Sequence, residues 1–355
     1  MHLKHWASHA NTVLVLAVPL VLIGLFTSWI GSPIFDHIVI TMLIDLVLVL
    51  GLQIFMGNTG ILGFAYVGFM GIGAYASVIL SMTPTAKSLA LPELYAFLSQ
   101  VQLPFLPAVL LGGVAAAVVA AVVGFPLMRL SDFAAAITAF ALLVIIYTVL
   151  VHWHALTNGP HTLFGVERHT YLGTSVAWAC LFVAVALAFK ESKLGLQLRA
   201  SRDDPVSASA IGINIVVVRW IAFILSAFVA GTAGGLWAHF ITSFSPAAFF
   251  LKVTFVVLAM LVIGGPATVS GAVVGTIVVS IVFQGLRAIE NAINIAQLFA
   301  QPVVGVTDVM LAVALIVTLV LRPPGIVERR EFRVSWRPRG AERQPAAAGE
   351  QRDGG

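Results

Sequence analysis

HIVITMLIDLVLVLGLQIFM, residues 37–56, carries one acidic or basic side chain besides its first histidine, and this is Asp45. A helix of this length rises about 30 Å, which matches the hydrocarbon core of a bilayer. Similar apolar blocks recur along the chain, and the eighth and ninth could be half-helices around Gly264 and Gly265. We predict ten spans, within a range of eight to ten, near residues 11–30, 37–56, 61–82, 104–126, 133–151, 172–190, 216–241, 252–265, 267–286 and 305–321.

The composition of the whole chain agrees with a membrane protein. Of its 355 residues, 60% are hydrophobic and 10% are charged, and the mean hydropathy is +1.03. Soluble domains carry about 25% charged residues, so this chain has too little polar surface for a water-exposed globule. The predicted fold class is all-α, a polytopic helical membrane protein, and a soluble enzyme with one buried core is excluded.

Lysine and arginine residues mark the cytoplasmic loops of membrane proteins. With the N-terminus in the cytoplasm, most of them fall on the cytoplasmic side, where an even number of spans also places the C-terminus. The chain then divides into a transmembrane domain, residues 1–325, and a cytoplasmic tail, residues 326–355. We expect the polar tail to be largely disordered, with arginines able to contact anionic membrane lipid. Because many basic residues lie in this tail, the net charge does not indicate nucleic acid.

Residues that could support catalysis or metal binding are sparse. The sequence has no phosphate-binding loop, nucleophile elbow or His-Glu-x-x-His motif. Its single cysteine, Cys180, excludes an intrachain disulfide and a cysteine-based metal cluster. We therefore predict no catalytic residue, no metal site and no cofactor bound by this chain. If the chain serves active transport, ATP hydrolysis belongs to other chains.

Two features within the apolar blocks could line a path across the membrane. Asp45 lies midway along its span, where it either faces the path or forms a structural hydrogen bond to a neighbouring helix. The stretch 57–73 contains six glycines and also holds Asn58 and Thr59. If this stretch is unwound, Asn58, Thr59 and Gly60 could line a passage. Close helix packing is the alternative.

The longest polar segment on the cytoplasmic side is 191–215, which begins ESKLGLQLRASRDDPVSASAIGIN. Asp203 or Asp204 can cap a helix with Pro205 in its first turn, and Gly212 can end that helix about seven residues later. A short helix held between two spans suits a lever that docks on a cytoplasmic partner. A plain amphipathic linker is the alternative.

This segment resembles the cytoplasmic loop of Liv-type permeases of branched-chain amino acid ABC transporters, in particular the second, M-type permease subunit. The matching positions are Ser192, Gly195, Leu198, Arg199, Ala200, Arg202, Asp203, Ala208, Ala210, Gly212, Ile213 and Asn214. Further motifs of the family follow in the expected order between about residues 40 and 325, at 51–60, 69–75, 157–165, 222–234, 245–246, 264–275 and 322–325. Gln53 and Tyr66 depart from the family pattern, which usually has Asn and His there.

The resemblance implies the permease subunit of an ATP-binding-cassette importer in the inner membrane. The implied partners are a second homologous permease chain, two cytoplasmic ATPases that bind ATP and Mg²⁺, and an extracytoplasmic solute-binding protein. The residues expected to couple the loop 191–215 to the ATPases are Leu198, Arg199, Arg202, Asp203, Asp204, Ile211 and Gly212. The residues expected along the translocation path are Asp45, Gln53, Asn58, Thr59, Gly60 and Tyr66.

The implied cargo is leucine, isoleucine or valine. The departures at Gln53 and Tyr66 leave other small solutes open, namely urea, short amides or another small carboxylate. A secondary transporter that works alone and uses Asp45 is an alternative from another class of protein. A membrane-embedded enzyme is a third, which the lack of a convergent catalytic set of residues disfavours.

Overall fold

A computed structural model of the chain describes residues 2–295, 305–321, 325–327 and 331. These residues are mostly α-helical, and the one β-type contact among them is an isolated bridge between Leu163 and Phe244. In chain order the α-helices are α1 (His2–Ile30), α2 (Pro33–Leu52), α3 (Tyr66–Ser81), α4 (Pro84–Ala90), α5 (Ala96–Ser99), α6 (Phe105–Leu127), α7 (Asp132–His152), α8 (His154–Thr157), α9 (Leu172–Glu191), α10 (Lys193–Asp203), α11 (Pro205–Ala210), α12 (Ile215–Ile241), α13 (Leu251–Gly264), α14 (Val269–Ile295) and α15 (Val306–Leu321). A π-helix covers Gln53–Gly57, and a 3-10 helix covers Pro246–Phe249.

Every predicted span corresponds to one of these helices. In the described part of the chain, eight helical segments are long and apolar enough to cross a membrane, and they contain α1, α2, α6, α7, α9, α12, α13 and α14 or most of each. The all-α membrane class is therefore confirmed, whereas the number of spans remains a prediction. The other two predicted spans are α3 and α15, which have 16 residues each and are about 24 Å long.

The interior of the bundle is formed by α2, α3 and α12, and α6 packs against it with one face. α3, α6 and α12 form one closely packed group, and α2 contacts both α12 and α9. Within its most apolar window α2 is 83% buried, whereas the corresponding window of α1 is only 22% buried. An apolar helix without a polar face is expected in such an interior position. The helix that carries Asp45 is therefore the central one, and α1 lies at the periphery.

Glycines bring α3, α6 and α12 together, as their small-residue spacing predicts. A methyl group at Gly73 of α3 would lie 2.2 Å from the Cα and the carbonyl oxygen of Gly231 in α12. A methyl group at Gly231 would in turn lie 2.9 Å from the Cα of Gly113 in α6. The backbones of three helices thus meet at one point. The same close approach joins α14 to α13, where a methyl group at Gly275 would lie 2.1 Å from the carbonyl oxygen of Met260.

The two predicted interruptions of the helices are both present. The helical segment that begins with α2 continues through the π-helix to residue 59, and residues 60–65 separate it from α3. Residues 265–268 form a turn between α13 and α14. Gly60 and Gly265 have φ angles of +79° and +118°, which glycine adopts without the strain of a side chain. The first interruption is shorter than the glycine-rich stretch that predicted it, because the helix continues to residue 59.

Side-chain contacts agree with the predicted grouping of the loops on two faces. Arg219 and Asp132, both predicted on the cytoplasmic side, form an ion pair of 2.8 Å between Nη1 and Oδ1. Ser81 and His239, both predicted on the outer side, are hydrogen-bonded at 2.7 Å between Oγ and Nε2. The contacts support the relative grouping, while the sidedness of the termini remains a prediction.

The contact at Gly73 predicts a severe packing defect when a methyl group is added. We expect Gly73→Ala to destabilise the bundle by about 3 kcal/mol or more, because the backbone of α12 cannot yield as a side chain can. The measurement is the thermal midpoint of the detergent-solubilised protein, which should fall by several degrees. Gly173→Ala is the matched control, since a methyl group there meets no atom within 4 Å. Equal midpoints for the two variants would contradict the packing model.

Candidate coupling site and membrane path

The first part of the loop 191–215 is α10, which crosses the end of α9 at close range. Ser192 begins it, and its Oγ accepts a hydrogen bond of 3.2 Å from the backbone N–H of Gly195. A methyl group at Gly195 would lie 2.3 Å from the carbonyl oxygen of Phe189, so the two backbones nearly touch. Arg199 donates a hydrogen bond of 3.0 Å from Nη2 to the carbonyl oxygen of Lys190. α10 is therefore fastened to the helix that precedes it.

The second part is α11, which has the predicted start and stop. Asp204 Oδ1 accepts hydrogen bonds from the backbone N–H groups of Val206 and Ser207, at 2.9 and 3.1 Å. The hydrogen bond from the Ser207 hydroxyl to this carboxylate lowers the pKa of Asp204. Gly212 follows the helix with a φ of +88°. The capping residue is thus Asp204 rather than Asp203.

The apolar residues of the loop divide into a buried set and an exposed set. Leu198 is completely buried against the membrane domain, so our expectation that it docks directly on an ATPase is corrected by its position. Ile211 is 77% exposed and Val206 is 76% exposed. The sequence interpretation missed Val206, although its place in the first turn of a capped helix marks it as a surface residue.

Arg202 turns back toward the membrane helices instead of pointing away from them. Its Nη1 donates a hydrogen bond of 2.8 Å to the carbonyl oxygen of Gly57, the last residue of the π-helix. A methyl group at Gly60 would lie 3.2 Å from Arg202 Nε. We predicted a surface ion pair for Arg202. In this conformation its guanidinium group instead links α10 to the first helix interruption, and we call this contact a strut. Arg199 and Asp204 likewise have partners within the chain, whereas Asp203 is exposed.

The polar residues at this interruption bond to their own helix. Asn58 Nδ2 donates to the carbonyl oxygen of Ile54 at 2.9 Å, and Thr59 Oγ1 donates to that of Phe55 at 2.8 Å. Both side chains are buried. Their hydrogen bonds satisfy carbonyl groups at the end of a helix, where intrahelical donors run out. Their role along a passage stays a prediction, and in this conformation their side chains are occupied by the helix itself.

Two other predicted path residues, Gln53 and Asp45, lack polar partners among the described residues. Gln53 is fully buried, and neither its Nε2 nor its Oε1 has a hydrogen-bond partner there. The hydroxyl group of Tyr66 is also buried, and it lies beside the Ser226 side chain. Asp45 is partly exposed and forms no ion pair or hydrogen bond with another described residue, so the expected structural hydrogen bond is not observed. Unpaired buried polar groups are few in native proteins.

An ion pair that the sequence did not reveal joins the end of α9 to the C-terminal segment. Lys190 Nζ lies 2.5 Å from Glu331 Oε1 and 2.8 Å from the carbonyl oxygen of Ala267. The side chains of Lys190 and Glu331 are 5% and 7% exposed. Glu331 also accepts hydrogen bonds from the backbone N–H groups of Val269 and Ser270. These are the first residues of α14, where the helix dipole favours a negative charge.

The residues before Glu331 follow the turn between α13 and α14. The backbone N–H groups of Ile326 and Val327 donate to the carbonyl oxygens of Ile263 and Gly264, at 2.9 and 3.0 Å. Residues 326, 327 and 331 therefore have defined contacts, whereas the disorder expected beyond about residue 334 stays a prediction. The remainder of the predicted tail lies outside the described residues.

The charge of Glu331 is favoured despite its burial. Burial alone would raise the pKa of this carboxyl group, but the Lys190 ammonium group and the hydrogen bonds from Lys190 and Ser270 lower it by more. The pKa of Glu331 therefore lies below its ordinary value. The carboxylate form of Glu331 is the one that accepts the hydrogen bonds from the first backbone N–H groups of α14.

The described residues thus form an apolar helical bundle of the membrane-protein class, with a capped loop bound to its helix interruptions. The family model for branched-chain amino acid transport system / permease component matches residues 34–320. The chain therefore belongs to this family of permease components, and it is a multi-pass membrane protein.

The most similar relatives include both permease types of the Liv systems. The high-affinity branched-chain amino acid transport system permease protein LivM of Salmonella typhimurium is 28% identical over 260 residues, which cover 63% of this chain and 56% of that protein. The probable branched-chain amino acid transport permease protein LivH of Methanocaldococcus jannaschii is 29% identical over 169 residues, 48% of this chain and 51% of that protein. The chain thus spans about half the length of the curated relatives it matches. No solved structure matches it.

The ion pair predicts that neutralising Glu331 releases the C-terminal segment. We expect Glu331→Gln to speed hydrogen exchange of the Ile326 and Val327 amides roughly a hundredfold, because removing one partner of a buried pair costs about 3–5 kcal/mol. The readout is exchange in the purified protein, corrected for intrinsic rates. Glu93→Gln makes the same change at an exposed position and should have no effect.

The same contact predicts a defined pH dependence. Because the pKa of Glu331 is lower in the folded chain than in an unfolded one, the stabilisation is complete above the ordinary glutamate pKa. It declines as the pH falls through the lowered value. Protection of Ile326 and Val327 should therefore weaken on acidification in the wild type and stay constant in Glu331→Gln. The same acid response in both proteins would refute the assignment.

Proposed function

We propose that this chain is the permease subunit of an ATP-binding-cassette importer that moves branched-chain amino acids inward across the inner membrane. The observation that carries the proposal is the loop 191–215, since it is fastened to the membrane helices and still presents exposed apolar side chains at Val206 and Ile211. A lever needs both properties: attachment to what it moves and a surface for the partner that moves it. Membership of the permease-component family supports the same function.

The proposed partners follow from this role. Two cytoplasmic ATPases bind ATP and Mg²⁺, and one of them receives α11 of this chain. A second homologous permease completes the membrane part, and an extracytoplasmic binding protein delivers the cargo. Val206 and Ile211 would supply most of the docking energy, because burying such side chains stabilises an interface by roughly 1.5–3 kcal/mol each. The exposed Asp203 would add a weaker charge contact.

The proposed mechanism transmits motion from the ATPases through two struts. When ATP binding draws the ATPases together, α11 and α10 move as one capped unit. The Arg202 contact with Gly57 passes this displacement to the end of α2. The Lys190 contacts with Ala267 and Glu331 pass it to the start of α14. Such two-state movement of a packed element is the physical basis of coupling between distant sites.

We further infer that the path follows α2 and the π-helix after it, where Asp45 and Gln53 have unpaired polar atoms among the described residues. Tyr66, at the start of α3, adds a hydroxyl group beside Ser226. A zwitterion that crosses the membrane needs polar groups, and these are available in this conformation. The bonded side chains of Asn58 and Thr59 are not.

Reconstitution tests the function directly. We expect the purified chain with its ATPases and second permease to take up labelled leucine into proteoliposomes only with ATP and binding protein. Ile211→Asp should reduce recovery of the ATPases at least tenfold, because a charge replaces the apolar contact. Leu89→Asp is the matched control, since Leu89 is 75% exposed in α4 on the predicted outer side. ATP-independent uptake that Asp45→Asn abolishes would instead identify a secondary transporter.

Arg202 provides the test of the lever. Arg202→Gln should leave ATP hydrolysis by the assembled complex intact and lower leucine uptake about tenfold or more, because the charge-assisted bond to Gly57 is lost. Lys193→Gln, at an exposed position of the same helix, should retain both activities. The two rates are measured on one preparation so that their ratio reports coupling. Normal uptake by Arg202→Gln would remove Arg202 from the mechanism.

A further inference from the structure

A polar cavity lies on the predicted outer face, where α2 begins, α14 ends and α15 starts. Its volume is about 530 Å³, which falls within the range of small-molecule sites. Its lining includes Ile34 and Ile38 of α2 and Gln284 and Arg287 of α14. It is remote in the chain from the coupling loop, and none of the predicted site residues lines it.

The acidic residue on this lining, Glu290, already accepts hydrogen bonds from groups of the protein. Glu290 accepts hydrogen bonds from the backbone N–H groups of Gly305 and Thr307, at 3.0 and 3.1 Å, and from the Thr307 hydroxyl group. Three donors thus hold its carboxylate at the start of α15. Glu290 attracts Arg287 through space, but its carboxylate oxygens are occupied by these donors and form no ion pair with the Arg287 guanidinium group.

The guanidinium group of Arg287 provides hydrogen-bond donors for a ligand in the cavity. The Arg287 guanidinium group lies 5.1 Å from the ring centroid of Phe283, and it forms no ion pair with a carboxylate of the described residues. Lys252 adds a second positive charge to the lining. A guanidinium group matches a carboxylate in geometry, because its donors form a planar fork.

The opposite wall of the cavity is apolar. Ile34 is 72% exposed, and Ile38 lies one turn further along the same face of α2. Asp45 follows two turns below Ile38 on that face, about 10 Å deeper. An aliphatic side chain could pack on the two isoleucines while its carboxylate meets Arg287. The amide oxygen of Gln284 could accept a hydrogen bond from an ammonium group.

We propose that this cavity is a binding site for an aliphatic α-amino acid, in which Arg287 binds the carboxylate and Ile34 and Ile38 contact the side chain. The site is the first place on the membrane subunit that receives the cargo, and Thr41 and then Asp45 are the next polar groups along the same helix face. The assignment of the cargo rests on the proposed function, whereas the location of the site rests on the cavity, its charge and its apolar wall.

The experiment compares L-leucine with L-leucinamide, which lacks the carboxylate. Binding to the detergent-solubilised complex of permeases and ATPases is measured by saturation-transfer NMR, without binding protein or ATP. In the wild type, leucine should bind at least about tenfold more tightly than leucinamide, since only leucine can form a charge-assisted hydrogen bond from its carboxylate to Arg287. Arg287→Gln should remove this preference, and Arg287→Lys should keep part of it.

Arg168→Gln is the control, because Arg168 lies on the predicted outer side but does not line the cavity. The thermal midpoint of each variant verifies folding, and Lys252→Gln provides a second lining variant that should weaken leucine binding. A leucine preference unchanged in Arg287→Gln, or no transfer to leucine in the wild type, overturns the site. ATP-driven leucine uptake by the wild type distinguishes this failure from failure of the proposed function.

Discussion

Within a bilayer every backbone N–H and C=O group needs a partner in the protein, because lipid offers none. This chain leaves the continuous helix at residues 60–65 and 265–268, near the face that carries the loop 191–215. Charged side chains meet the need at both places. Arg202 binds a carbonyl group beside the first interruption, and Lys190 and Glu331 bind carbonyl and N–H groups at the second.

This requirement links the loop to the membrane helices more firmly than packing alone would. Hydrogen bonds with one ionised partner are roughly twice as strong as neutral ones. Breaking the buried Lys190–Glu331 pair would cost several kcal/mol, whereas the contact of the exposed Arg202 is weaker. In the proposed mechanism, these contacts pass a displacement of α10 to the π-helix after α2 and to the start of α14. The contacts that complete the fold would then also define the route of coupling.

The sequence predicted those features that depend on local patterns. Apolar blocks of membrane length predicted every span-forming helix, and the run Asp204-Pro205 with Gly212 predicted α11. Contacts between distant residues left no such pattern. Arg202 and Gly57 are 145 residues apart, and Lys190 and Glu331 are 141 apart. A lysine at the end of an apolar block indicates topology, so its role as a buried partner could not be read from sequence.

The sequence also could not predict which way a side chain of the loop points. Leu198 lies in a polar loop, where a leucine can face either the membrane domain or a partner, and only the position of α10 against α9 decides for burial. Gln53 departs from the usual family residue at the start of the π-helix that follows α2, and its amide group has no partner among the described residues. A buried amide without a partner costs free energy in every conformation that leaves it so. In the proposed path, this cost would fall when the amide gains a partner in another conformation or from the cargo itself.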